Sequence, residues 1–243
     1  MCGRYTLKTP ADALADAFDL AAAPDWSPRF NVSPQQLGLV VPAGQVRLAR
    51  KMRWGLETTW SRDAPRIAPP INARSESVAD KPMFREAFRR RRAVCLVDGF
   101  YEWRPERGLD LFGQPYDIGG ATGRKQALYI HRRDGAPFAI AAIWESLPPR
   151  MGAQPANPAP LADEGRDETF ALLTTTANAL MSTIHDRMPV IFGAEAIGVW
   201  LSADLPAAQA LMRPLADGIL VARPVSSLVN SPRNEGPELI APL

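Results

Sequence analysis

Ala93-Val94-Cys95-Leu96-Val97-Asp98-Gly99-Phe100-Tyr101-Glu102-Trp103 begins with five apolar residues in a row, then meets an Asp-Gly pair. A short, unbroken apolar run bounded by a turn signal reads as a strand covered on both faces. Outward from it, Ala127 to His131, Pro137 to Trp144 and Phe170 to Thr175 read as further core strands, and Ile219 to Val225 as a late one. Upstream, Arg4 to Leu7 is a short strand, and Leu37 to Val41 and Gln45 to Arg53 form a hairpin through Pro42-Ala43-Gly44. In its second strand Val46, Leu48 and the stem of Arg50 alternate with more polar positions. Helices are expected at Pro10–Leu20, with Thr9 as cap, and at Lys81–Arg92, Ala177–Ile184, Ala194–Leu201 and Ala207–Leu215. Residues 21–36 and the end from Ser226 read as irregular. Many short strands with a few helices argue an α+β fold: a single domain over 1–243 with a curled, barrel-like mixed β-sheet core and flanking helices. Segments 104–125 (Gly-rich and polar) and 148–168 (five prolines) read as exposed insertions.

The composition suits a globular core: 46% of the 243 residues are hydrophobic and 22% charged. Two cysteines make no disulfide framework and point to a reducing, cytoplasmic setting. No apolar run approaches membrane-spanning length and no signal peptide precedes the first strand. No CxxC or HxxxH spacing supports a metal site, and no cofactor is implied. Only four of the 28 basic residues are lysine. Arginine's planar fork suits phosphate, and many arginines fall in the first half, including the run Arg89 to Arg92. The same bias arises from arginine-rich codon usage and a solvated helix end.

Chemistry concentrates at Met1-Cys2-Gly3-Arg4-Tyr5. If Met1 is removed, Cys2 carries an α-amine and a thiol on adjacent carbons. With reference pKa values of about 7.7–8.0 and 8.5, both are within reach at neutral pH. An aldehyde meeting that pair forms an imine that the thiol closes into a thiazolidine, whereas an amide meets a thiol with its own base. Gly3 leaves the approach open, and Arg4 adds a fixed cation. The bland alternative is an ordinary near-terminal cysteine. Glu102, between Tyr101 and Trp103, is a carboxylate among aromatics suited to general acid–base work, or an outward Glu on a half-buried strand. Of two histidines, His131 reads as structural; His185 sits on a loop between a helix end and Pro189, where catalytic side chains are often held, although a lone histidine is also an ordinary structural residue. Asn72 and Arg74 in Asn72-Ala73-Arg74 suit orientation of Cys2 and phosphate binding, or turn capping and a surface charge. Pro34, Trp60 and Met83, in or beside loops, are stacking groups for unstacked bases or simply core.

The order of these blocks is more specific than any one of them. Met1–Tyr5, Arg29-Phe30-Asn31-Val32-Ser33-Pro34, Arg53-Trp54-Gly55-Leu56, Ile71-Asn72-Ala73-Arg74-Ser75-Glu76, Gly99–Trp103, Ile184-His185-Asp186-Arg187-Met188-Pro189 and Val229-Asn230 together resemble the SOS response-associated peptidase (SRAP) family of abasic-site processing proteins. The resemblance implies a monomer that binds single-stranded DNA and single-/double-strand junctions carrying abasic sites, without a membrane. It implies a covalent link between Cys2 and the ring-opened sugar, with associated lyase activity and removal of Met1, and a place in the cytoplasm, on the nucleoid when DNA-bound. Carried over by position, Cys2 is the nucleophile, Glu102 the proton shuttle, His185 the group assisting ring opening, and Asn72 the positioner of the terminal residue. Arg4 and Arg74 correspond to phosphate-binding arginines, Thr174 to a backbone-contacting position, and Pro34, Trp60 and Met83 to stacking and wedge positions. Ser61 follows Trp60 where the family pattern often has a second tryptophan, and the segments 104–125 and 148–168 look longer than usual. Other classes remain open: an N-terminal-cysteine amidohydrolase, since glutamine amidotransferases also begin Met-Cys-Gly, and a non-catalytic DNA-binding module.

Overall fold

A computed structural model describes residues 2–62, 68–105, 107–109, 115–117, 125–148 and 168–243. In chain order the elements are β1 (Tyr5–Leu7), α1 (Ala11–Phe18), β2 (Arg29–Val32), β3 (Leu37–Pro42), β4 (Arg50–Trp54), α2 (Thr59–Arg62), β5 (Asn72–Arg74) and α3 (Arg85–Arg90). Then come β6 (Arg92–Val97), β7 (Gly99–Pro105), β8 (Arg107–Leu109), β9 (Pro115–Asp117), β10 (Lys125–Arg132), β11 (Phe138–Ser146) and β12 (Glu168–Thr176). The chain finishes with α4 (Ala179–Ser182), β13 (Arg187–Pro189), β14 (Ile191–Phe192), α5 (Ala194–Ser202), α6 (Leu205–Ala210), β15 (Leu220–Pro224) and short 3-10 turns at Ser227–Asn230 and Pro237–Ile240.

Five strands close a barrel. β12 pairs with β4, β4 with β3, β3 with β6, β6 with β11, and β11 returns to β12. The β12–β4 pair is parallel and the other four antiparallel, which makes the barrel mixed. Closure leaves no free edge around the ring, and β6, covered on both faces, is buried at every position, whereas β4 keeps Arg50, Lys51 and Arg53 toward solvent. β5 and β13 extend β12, and β14 extends β11. The second sheet is antiparallel, in the order β15-β10-β7-β1-β2. The chain turns from barrel to sheet at Asp98, whose N–H donates to the Thr6 carbonyl at 2.8 Å. The Asp98 carboxylate accepts from the backbone N–H groups of Lys8 and Thr9 and from the Thr9 hydroxyl. One continuous apolar core runs through the barrel and under α1, α3 and α5, with Trp54, Trp200 and Phe88 among its largest members.

The expected fold class holds, with local differences. Thr9 does not cap α1: its hydroxyl goes to Asp98, and the helix starts behind Pro10 without a side-chain cap. Part of the irregular stretch 21–36 is β2, which pairs with β1 from Tyr5↔Val32 to Leu7↔Arg29. The strand after the hairpin starts only at Arg50, and Val46 and Leu48 lie 56% and 47% exposed instead of facing a core. Arg92 is not part of the expected helix: it opens β6, and α3 is confined to Arg85–Arg90. Half of the basic run, Arg91 and Arg92, is absorbed by the fold, while Arg89 and Arg90 are exposed. Buried Arg92 donates to the carbonyls of Trp200 and Ala203 at the end of α5, Arg91 pairs with Glu145 at 2.6 Å, and Arg90 with Glu86 at 3.3 Å. Within the expected insertion at 104–125 the described residues include the β8–β9 pair. The insertion at 148–168 lies outside the described residues except for its ends, Pro148 and Glu168.

Candidate active site

Cys2 lies three residues ahead of β1, which runs between β2 and β7 in the antiparallel sheet. The Tyr101 N–H donates to the Arg4 carbonyl at 2.9 Å, so the ladder of β1 and β7 continues toward Gly3 and Glu102. From the barrel side comes β5: the Asn72 Nδ2 donates to the Cys2 carbonyl at 2.8 Å, holding the terminal segment from the other flank. Cys2 and Glu102 are both buried, 1% and 4% exposed. Burial raises the thiol well above its ordinary pKa, and the nearby negative charge of Glu102 adds to the rise. The thiol is therefore a protonated group at neutral pH that needs a base to become a nucleophile.

The second cluster of expected residues sits on adjoining rungs of the barrel's extension. Arg74 of β5 lies beside Thr174 of β12, and Thr174 beside Pro189 of β13. The Thr174 carbonyl accepts from the Ser75 N–H at 2.8 Å and from Arg187 Nη2 at 2.7 Å. Arg187, itself buried, also forms a two-pronged ion pair with Glu76, the second contact at 2.8 Å. One guanidinium thus ties the loop after Arg74 to the strand after His185. His185 Nδ1 accepts from the Arg187 N–H at 3.0 Å and lies 2.7 Å from the Asp186 carboxylate. Asp186 is 83% exposed, so its hold on the ring is shared with water, while the Arg187 backbone fixes the ring's place.

Arg4 is half-buried. Its Nη1 donates to Asn31 Oδ1 at 2.8 Å and to the Val229 carbonyl at 2.9 Å, and its guanidinium lies 6.0 Å from the Trp103 ring centroid. Burial pushes its pKa below the usual value. Fully buried Asn31 in turn donates to the carbonyls of Ser231 and Asn234, at 3.0 and 2.9 Å. Trp103 Nε1 donates to Asn230 Oδ1 at 2.7 Å, so the C-terminal turns brace the strand that carries Glu102. Arg74 is exposed. Pro34, Trp60 and Met83 occupy three separate segments. Pro34 lies at the second position of a turn closed by the Gln36 N–H on the Ser33 carbonyl, with Gln35 at φ 72°. Trp60, on α2, is 53% exposed, and Met83 is half-buried against the core. Ser61, at the departure from the family pattern, is buried and bonded reciprocally with Thr58.

Sequence reasoning gave Glu76, Arg187 and Asn31 no role, although all three stand in the quoted blocks. Their partners lie 111 residues away for Arg187–Glu76 and about 200 away for Asn31, a distance that spacing cannot reveal. Among the described residues no group of three or more His, Cys, Asp or Glu side chains is placed to hold a metal ion. No helix there is long and apolar enough to cross a membrane.

The chain is 33% identical to the abasic site processing protein YoqW of Bacillus subtilis (strain 168), over 99% of each chain. It is 31% identical to the abasic site processing protein YedK of Escherichia coli (strain K12) over the full length of both. It is 29% identical to the abasic site processing protein HMCES of Gallus gallus, spanning all of this chain and 78% of that one. In fold it is similar to a crystal structure of a protein from Bacteroides thetaiotaomicron, with a TM-score of 0.75, 22% identity and full coverage of both chains. A Bordetella bronchiseptica protein gives 0.69 and 23%, over 93% of this chain and 100% of that one. The model of the family described as SOS response associated peptidase matches residues 1–232, and this chain belongs to that family, SRAP.

Proposed function

We propose that this protein processes abasic sites in DNA by bonding covalently to them through Cys2. The observation that carries the reading is the seat of Cys2, held at its carbonyl by Asn72 Nδ2 at 2.8 Å and buried within the electrostatic reach of Glu102. No cofactor is needed, because the aminothiol supplies both bonds.

Hydrolysis of the Met1–Cys2 amide, by the protein itself or another peptidase, frees the α-amine. The amine adds to the C1′ aldehyde of the ring-opened sugar and water leaves, giving an imine. The Cys2 sulfur then adds to the imine carbon, its proton passes to nitrogen, and a thiazolidine closes. A thiol held protonated by burial requires that proton to be taken up, and Glu102 is the carboxylate placed to take and return it. His185 serves sugar ring opening, and Asn72 keeps the terminal residue in register. Diversion of the imine toward strand scission is the associated lyase route. Exposed Arg74 takes a phosphate, Arg4 and Thr174 flank the path of the backbone, and Trp60, Pro34 and Met83 stack or wedge against bases of single-stranded or junction DNA. The working unit is a monomer, one domain over 1–243, in the cytoplasm and on the nucleoid when DNA-bound.

The test uses single-stranded DNA with one abasic site and a denaturing gel. The expected result is a shifted band that survives heating and disappears in Cys2→Ala. Ammonia release from glutamine without such a band would replace this reading with an amidohydrolase. A shift seen only under native conditions would leave a passive DNA binder.

A further inference from the structure

Tyr5, three residues after Cys2, is fully buried, and its side chain enters the wall of the barrel. A Cβ built on Gly38 of β3 would stand 2.1 Å from the Tyr5 hydroxyl oxygen, 2.9 Å from Phe170 Cζ and 3.2 Å from Phe170 Cε1. Contacts below 3.0 Å force something to move. No positive φ obliges position 38 to be glycine. What obliges it is the tip of the Tyr5 ring. That hydroxyl makes no hydrogen bond of normal geometry, and the buried Cys95 thiol interacts with it electrostatically. Its place here is explained by reach: it seats the ring at a fixed depth over the bare backbone of Gly38.

The ring is also tied to the other holder of Cys2. Tyr5 packs on Trp54 at 5.2 Å between centroids, and Trp54 lies near-parallel to Phe170 at 6.3 Å. The Trp54 indole N–H donates to the Ile71 carbonyl at 2.8 Å. The next residue is Asn72, which donates to Cys2. A closed circuit results: Cys2 to Tyr5 along the chain, Tyr5 to Trp54 by packing, Trp54 to Ile71–Asn72 by a hydrogen bond, and Asn72 back to Cys2. Both grips on the reactive residue therefore refer to one buried ring.

We propose that Gly38 and Trp54 are positioning residues for Cys2, acting through the seated ring of Tyr5. The inference rests on Cys2 being the reactive residue, as proposed above, and concerns what sets its place.

The test compares the full-length wild type with Gly38→Ala, Tyr5→Phe, the double variant and Trp54→Phe. Three quantities are read: rate of covalent capture of single-stranded abasic DNA, affinity for undamaged single-stranded DNA, and rate of Cys2 labelling by a small disulfide reagent, located by peptide mapping. Gly38→Ala is expected to slow capture by up to about 100-fold, the order of loss for a reacting group displaced by about 1 Å. Its affinity for undamaged DNA is expected to stay near wild type, and Cys2 labelling to accelerate as the residue leaves its seat. Tyr5→Phe removes the atom that collides and leaves only the edge of Phe170 at 2.9 Å, so it should restore most of both effects when combined with Gly38→Ala. A merely destabilised barrel would lose affinity for undamaged DNA together with capture, whereas a displaced Cys2 loses capture alone. Should Gly38→Ala fail to fold, Trp54→Phe, which keeps a ring but loses the donor to Ile71, is expected to show the same slowed capture and faster labelling. Wild-type rates of capture and labelling in Gly38→Ala or Trp54→Phe, or a double variant as impaired as Gly38→Ala, overturn the proposal. If the wild type itself captures no abasic DNA, the functional reading fails, while Cys2 labelling still decides the positioning claim.

Discussion

At the residue scale burial acts on both cysteines in the same direction. Burial silences the Cys2 thiol, and Cys95 is pushed up to about 12 by burial in the barrel wall. Neither is a reactive surface thiol. Native wild-type protein is accordingly expected to label slowly with a disulfide reagent at pH 7.5 and to release two equivalents once unfolded; rapid native labelling of either would contradict the burial. Asn72 holds Cys2 with one hydrogen bond, so Asn72→Ala should cost about 1 kcal/mol of stability, read as a shift in the urea midpoint, while slowing capture far more than that figure implies. The half-buried His131, stacked on Tyr129 at 5.1 Å, has its pKa lowered by burial. Its unfolded form binds a proton more readily, so it contributes a loss of stability as pH falls below about 6.5. His131→Gln should lessen the fall in melting temperature between pH 7 and 5, and an unaltered pH profile would show that His131 carries no such linkage. Sequence singled out Cys2, Glu102 and Asn72 through their chemistry and their blocks. It could not show that the thiol is buried, because burial of a terminal residue is decided by β5 arriving from 70 residues away.

Elements explain why the second cluster exists at all. β13 is three residues long and would not be called a strand from Arg187-Met188-Pro189, which has neither alternation nor an apolar run. It forms because β12 offers an edge and because Arg187 locks to Thr174 and Glu76. β2 escaped for a similar reason: Arg29-Phe30-Asn31-Val32 lies among turn residues, and its pairing with β1 is fixed by Asn31 and Arg4. Val46 and Leu48 alternate as a strand should but have no neighbour to pair with, and they stay in solvent. The Glu76–Arg187 pair makes the element-level prediction. Its hydrogen bond from Arg187 lowers the Glu76 pKa below the ordinary glutamate value of 4.5. The pair thus stabilises the fold above about that pH, and the contribution disappears as acid titrates the folded carboxylate. Glu76 is half exposed, so Glu76→Gln should lose no more than about 1 kcal/mol at pH 7. Its melting curve should merge with that of the wild type toward pH 3. Curves that stay equally apart at low pH would show that the ion pair is not what Glu76 contributes.

For the whole molecule, a closed barrel carries the rigidity and a second sheet carries the terminal residue, with Asp98 as the corner between them. Core strands such as β6, β11 and β12 were legible because a barrel strand covered on both sides needs an unbroken apolar run. Ring closure was not, since nothing in Phe170 to Thr175 distinguishes pairing with β11 from pairing with β4. Charge shows the same divide. A run of four arginines looks like a nucleic-acid footprint, yet Arg91 and Arg92 are spent on Glu145 and the end of α5. DNA affinity should therefore follow exposed arginines beside the site and not the densest basic stretch. On single-stranded DNA each phosphate contact contributes about 0.7 to the slope of log affinity against log salt. Arg74→Ala is expected to reduce the magnitude of that slope by about that amount and to weaken binding similarly on every sequence. Arg91→Ala, which breaks an internal ion pair, is expected to leave the slope unchanged while lowering the melting temperature slightly. A flattened slope in Arg91→Ala with none in Arg74→Ala would move the DNA to the α3 face and away from Cys2, and with it the path by which an abasic sugar reaches the aminothiol.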